Sequence, residues 1–287
     1  MGKRLDRRSF LGRLAGLLGA AVAGETLEAC SPTGPDAKAS TTTSSLTKTS
    51  GSSSLSTSGG PRRGLGGESR GAFGLPVAEW VVEENARPGT TDWLLRGVGN
   101  HYVEGFVDRV SAVAGDEVTL YANTGSPRLS ITAYRLGWYK GLGARLVASL
   151  GSVRGVVQPP AGLTQGINMV ECRWSPTLSF KIEDDWPSGY YLLKLLTKNG
   201  YSQWVPFLVR DDESSAPVLV QSSVTTWQAY NLYGGYSLYS SPSGSYEDRS
   251  RVVSFDRPYA AADEDGSADL FGNEYPLVAL VERLGVD

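Results

Sequence analysis

"YYLLKLLTKNGYSQWVPFLVR" (190–210) sets two apolar runs, "YYLLKLLT" and "SQWVPFLVR", on either side of "KNGY". Asn199-Gly200 is a strong tight-hairpin signal, because both central residues of such a turn need positive φ. Two strands joined here predict an antiparallel sheet. The runs around them follow the same grammar. "DEVTLYAN" puts Val118 and Leu120 on one face, and "RLSITAYRLGWY" does the same with Leu129, Ile131 and Ala133. "INMVECRW" and "LSFKIED" read as further strands. Strands of this length with turns between them predict an antiparallel β-sandwich over 76–212. "DDWPSGYY" reads as its tyrosine corner, with Tyr190 and Tyr191 both candidates.

Upstream the texture differs. Residues 30–75, with "STTTSSLTKTSGSSSLSTSGG" (40–60) at their centre, hold too little apolar area to offset ordering entropy and read as a disordered tether. Ahead of it, "DRRSFLGRLAGLLGAAVAG" has a basic start and a short apolar stretch, the form of an export signal. Arg7-Arg8 followed by Ser9-Phe10-Leu11 resembles the twin-arginine signal. "LEAC" resembles a lipobox that would lipidate Cys30 and anchor the chain to a membrane, although Glu28 fits it poorly; plain cleavage is the alternative. Residues 1–29 are thus an address. The expected location is the outer face of the cytoplasmic membrane, or the periplasm or medium.

Charge and composition exclude several classes. The net charge of −3 divides into +2 over residues 1–29 and −5 over the remainder. An acidic body argues against nucleic acid as a partner. The one histidine, His101, excludes histidine-rich zinc sites and leaves any Ser-His or Cys-His pair dependent on it. Cys172 shares a face with Val170 and Trp174 and reads as a small buried hydrophobe without a disulfide partner.

After residue 212 the pattern changes. "PVLVQ" and "SRVVSFDRP" read as short buried parallel strands, and "TTWQAYNLYGGYSLY" (225–239) as a loop between them. "NEYPLVALVERLG" reads as an amphipathic helix with Leu277, Leu280, Val281 and Leu284 on its apolar face, Pro276 near its start and Gly285 at its stop. Strand, loop, strand and helix predict the truncated start of an α/β domain over 213–287. Two strands and one helix cannot cover both faces of a sheet. The expectation is therefore a C-terminal remainder, or a partner chain, that completes the domain. Asp256-Arg257 reads as an ion pair, and Gly234-Gly235 as a turn.

Six segments in order resemble the large (beta) subunit of N,N-dimethylformamidase and its relatives: "ENARPGTTDW", "YRLGWYKGLGAR", "VPFLVRDD", "TTWQAYNLYGGYSLY", "VSFDRPY" and "EYPLVALVERLGVD". The resemblance implies an immunoglobulin-like sandwich followed by a domain similar to class I glutamine amidotransferases. It implies hydrolysis of a linear amide C–N bond at a ferric iron held by two tyrosines and a glutamate. It would place the tyrosines on Tyr230 and Tyr259, each after a predicted strand. A ferric ion can bind phenolate by displacing its proton, although a free phenol titrates near pH 10. It would polarise a substrate carbonyl and help to generate hydroxide.

Asn231 and Tyr233 are the substrate-pocket candidates, Asn231 alternatively capping the loop. The family's glutamate would lie in a later His-Asp-Glu-Tyr-Trp-like motif, which these 287 residues do not contain. Glu264, Glu274 and Glu282 lack its context. The expectation is therefore an incomplete metal site and a chain inactive alone. The alternative is a cell-envelope binding module presenting an aromatic-rich sandwich.

Overall fold

The computed structural model describes residues 71, 74–97, 101–262 and 264–287. All described residues lie in one compact unit. The export signal with Arg7 and Arg8, Cys30 and nearly all of the tether fall outside the described residues. Among the described residues no helix is long and apolar enough to cross a membrane.

The predicted sandwich is present. One sheet runs β1 (Glu104–Val107), β3 (Glu117–Asn123), β8 (Leu178–Lys181). The other runs β2 (Ser111–Ala112), β10 (Ser202–Val209), β9 (Gly189–Thr197), β4 (Leu129–Leu136), β5 (Ala144–Val153). All pairs are antiparallel except β2 with β10. A small hairpin, β6 (Gly162–Thr164) with β7 (Met169–Glu171), stands apart.

The core follows the alternation in the sequence. Val118, Leu120 and Ala122 meet Leu129, Ile131 and Ala133, and both sets pack on Tyr191, Leu193, Leu195, Val205 and Phe207. Each Val, Leu, Ile or Phe side chain among them contributes roughly 1.5–3 kcal/mol by leaving water. Tyr191 occupies the corner, its hydroxyl donating to Pro187 O at 2.7 Å. The hairpin uses a three-residue loop instead of the expected two. Thr197 N donates to Tyr201 O, and only Gly200 (φ 87) has positive φ. This is a turn closed by a left-handed glycine, a common alternative.

β9 is buried on both faces because its outer face is covered too. Lys194 donates to Asp92 O and Leu94 O at 2.6 and 2.7 Å. Trp93, Trp204, Phe271 and Tyr275 stack in one cluster against the sheet. Two elements that periodicity does not announce complete this side. Helix α1 (Glu79–Ala86) turns Val81 but also Glu84 and Asn85 inward. Strand β5 is an edge, mostly accessible and bulged twice against β4.

Residues 213–287 depart from expectation. No strand forms there among the described residues. "PVLVQ" is accessible, with Leu219 92% exposed. "SRVVSFDRP" makes isolated bonds, such as Arg251 N to Ile167 O and Asp256 O from Cys172 N, without a ladder. The apolar runs are too short and too loosely covered to build a sheet. The premise of an uncovered sheet face therefore falls, and the segment packs on the sandwich instead.

The first half of the tyrosine stretch is helical: α2 (Val224–Tyr230), then a 3-10 turn at Tyr233–Gly235. The C-terminal helix α3 (Tyr275–Arg283) forms as predicted, with Pro276 in its first turn and Gly285 (φ 68) past its end. Its orientation is the reverse of the expected one. Tyr275, Val278 and Glu282 are buried, whereas Leu277 and Leu280 are exposed.

Glu282 explains that orientation. Its carboxylate receives two bonds from Arg135 at the end of β4, at 2.6 and 3.2 Å, and a third from Asn85. Arg135 also donates to Ser188 O and to Tyr139. Tyr139 donates to Glu84, which pairs with Arg145. Burial alone would raise the Glu84 carboxyl. The bonds from Tyr139 and Arg145 outweigh it and hold the group below its ordinary value.

Candidate phenolic site

Helix α2 turns Trp227 and Gln228 inward and leaves Tyr230 56% exposed, stacked on Tyr239 with centroids 4.3 Å apart. Tyr259 lies deeper, its ring edge-on to Trp227 at 6.1 Å and its carbonyl held by Gln203. Burial pushes its phenol well above the ordinary tyrosine value, against a hydrogen bond from Gln228 and the charge of Arg257. It therefore keeps its proton at neutral pH. Its ring lines a cavity of about 40 Å³ with Gly105, Val205, Pro206, Gln228 and Arg257, room for a few waters. Tyr230 is not in that wall.

The two tyrosines are brought together through main chain. Asn231 is completely buried. Its Nδ2 donates to Pro258 O at 2.9 Å and to Gln228 Oε1 at 3.1 Å. Its Oδ1 accepts from Ala260 N at 3.1 Å and Tyr233 N at 3.0 Å. The residue after Tyr230 thus holds the residues on both sides of Tyr259. Arg257, 1% exposed, completes the lattice. Nε donates to Gln228 Oε1, Nη2 to Gln228 O, and Nη1 to the carbonyls of Tyr233 and Tyr236.

These contacts correct three expectations. Asn231 has no amide group left for a substrate, because donors and acceptor are engaged in the lattice. Tyr233 is a docking pin instead of a pocket wall: its hydroxyl donates to Glu104 of β1 at 3.1 Å, and its ring packs on the Phe106–Cys172–Trp174 cluster. Arg257 turns inward to carbonyls and forms no ion pair with Asp256. Cys172 is the buried free thiol expected, and burial pushes it up to about 12. Gly234 (φ 74) lies so close to β7 that a Cβ there would stand 2.6 Å from Val170 Cγ1. His101 is at the surface, bonded to Glu104.

As oxygen donors for a hard ferric ion, the two phenols suit the chemistry and sit on one frame. Among the described residues no three His, Cys, Asp or Glu side chains gather where they could hold a metal. Glu274 is already engaged by Tyr190, Ser222 and the Ser223 amide. Gln228 and Arg257 carry the frame without having been singled out as its members. A glutamine and an arginine leave no periodic trace, and the only sequence signal was their place inside "TWQAYN" and "FDRPY".

Fold and site together define an antiparallel sandwich bearing a polar-clamped phenolic segment. A family model described as N,N-dimethylformamidase beta subunit-like, C-terminal, matches residues 130–287. The match spans more than half of the chain and includes both tyrosine motifs, and the chain belongs to this family. No curated protein matches it significantly.

Among solved structures, an uncharacterized protein from Bacillus anthracis str. Ames is similar at 12% identity, over 41% of this chain and 86% of that one, with a TM-score of 0.24. The sporulation control protein Spo0M from Bacillus subtilis follows at 17% identity, 40% and 51% coverage, and 0.23. Salmonella alpha-2-macroglobulin matches at 13% identity, 46% and 8% coverage, and 0.25.

Proposed function

We propose that this chain is part of an exported, iron-dependent amide hydrolase related to N,N-dimethylformamidase, with Tyr230 and Tyr259 as two ligands of a ferric ion. The observation that supports it most is the lattice through Asn231, which ties together the two motifs that the family resemblance singles out. A bound ion would supply Lewis acidity to an amide carbonyl. The chain's own residues would hold the phenols in register and shield Tyr259 from bulk solvent. The third ligand, a carboxylate, would come from polypeptide outside these 287 residues, either a C-terminal remainder or a partner chain. Export by the twin-arginine route and anchoring through lipidated Cys30 complete the proposal.

The test uses the chain together with the polypeptide that supplies the carboxylate. Tyr230→Phe and Tyr259→Phe should each abolish bound iron, the visible phenolate-to-iron absorption and amide hydrolysis. Iron content unchanged in both variants would sink the assignment. A second reading, a binding module of the cell envelope, is favoured by the exposed Tyr230–Tyr239 stack. Saturable binding of a cell-wall glycan, lost in Tyr239→Ala with iron content untouched, would support that reading instead.

A further inference from the structure

We infer that Asn231, Gln228 and Arg257 are positioning residues that set the placement of the Tyr230 phenol relative to the Tyr259 phenol before any ion arrives. The inference takes its chemical meaning from the proposed phenolate site, but its geometry stands apart from it. Twenty-eight residues separate the two tyrosines in sequence, and no strand pairing joins their segments. Their register is set by side chains.

Asn231 does this with one amide. Its NH₂ group bonds the carbonyl before Tyr259 and its oxygen bonds the amide after it. Sliding either segment by one residue would break both bonds together. Arg257 locks the next level, since its guanidinium spans the carbonyl of Gln228 in α2 and the carbonyls of Tyr233 and Tyr236 in the following turn.

Gln228 joins the two levels. Its Oε1 accepts from both Asn231 and Arg257. All three side chains are at most 2% exposed. A buried polar network of this kind favours one arrangement. Outer partners that orient metal ligands characteristically control affinity by about 10–100-fold.

The experiment uses the full chain labelled with 3-fluorotyrosine, the fluorine lines of Tyr230 and Tyr259 being assigned with the two Tyr→Phe variants. Without any ion, Asn231→Ala should shift or broaden both lines and leave those of Tyr139 and Tyr191 in place. Gln228→Met keeps the volume but removes the acceptor that Asn231 and Arg257 share, so it should also move the Tyr230 and Tyr259 lines. Both lines unchanged in Asn231→Ala would overturn the inference. Should Asn231→Ala disturb the sandwich lines as well, Gln228→Met decides: Tyr230 and Tyr259 lines that both stay put overturn it.

Ferric nitrilotriacetate, which brings its own carboxylates, then separates this inference from the reading beneath it. One equivalent should broaden both wild-type lines together, and Asn231→Ala should need at least about tenfold more. Equal affinity in the two proteins contradicts positioning. Wild-type lines that ignore the ion overturn the phenolate site, and the ion-free spectra still decide the frame.

Discussion

Residues 104–209 and residues 213–287 close by different physics. The sandwich buries alternate apolar side chains from facing sheets. The C-terminal segment buries Gln228, Asn231, Ser237, Ser241, Ser250, Arg257, Ser267 and Glu282, and most of them are tied to main-chain groups, whereas Gln228 and Glu282 bond side chains. Burial by area is non-directional, so the first region tolerates adjustment. Hydrogen bonds to a buried charge are directional and costly to leave unmade, so the second region has one arrangement or none. A segment held in this way can place two phenols without a strand of its own.

The sharpest way to break this contrast is at the Arg135–Glu282 pair, where the two regions meet. Removing one partner leaves a buried charge alone, so Glu282→Ala should cost about 3–5 kcal/mol. The double variant Arg135→Met, Glu282→Leu should recover most of that loss. Urea unfolding of the three proteins checks both figures, and a loss below about 1 kcal/mol in Glu282→Ala would show the pair to be incidental. Leu193→Ala probes the other physics. It should cost about 2–4 kcal/mol and lower the whole transition together, with no separate change in the C-terminal segment.

A smaller effect is expected at the seam between the regions. Gly234→Ala forces a side chain into left-handed backbone, at about 1–2 kcal/mol, and into Val170. Hydrogen exchange should show 224–260 loosening while the sandwich stays protected. The smallest effect is with pH. The Glu84 carboxyl is held below its ordinary value of 4.5, so its share of stability is complete above that pH and is lost as the pH falls through the folded value. Below about pH 4.5 the melting temperature should fall more steeply for the wild type than for Glu84→Gln. Parallel curves would remove Glu84 from the network.

The same contrast decides what the sequence could reveal. The alternation in "DEVTLYAN" and "RLSITAYRLGWY" is the direct imprint of a half-buried strand, so the sandwich core was legible position by position. Strand β5 was not, because an edge that faces water and is bulged twice shows no clean period. In α3 the apolar stripe marks the helix but not its orientation. Leu277 and Leu280 make the pattern, whereas Glu282 makes the contact, and a buried carboxylate looks like a surface residue until Arg135 is placed beside it.

"PVLVQ" and "SRVVSFDRP" had strand composition without strand partners. At the phenolic site, family resemblance pointed to Tyr230 and Tyr259. That Asn231 joins them depends on two segments crossing, which no local pattern records.

The central claim is that these two tyrosines belong to one site. An iron anomalous difference map, from crystals of this chain grown with ferric ion and the polypeptide that supplies the carboxylate, tests it most directly. The account predicts a single peak within bonding distance of both the Tyr230 and Tyr259 hydroxyls. A peak at only one of them, or at the Tyr230–Tyr239 stack, would contradict it.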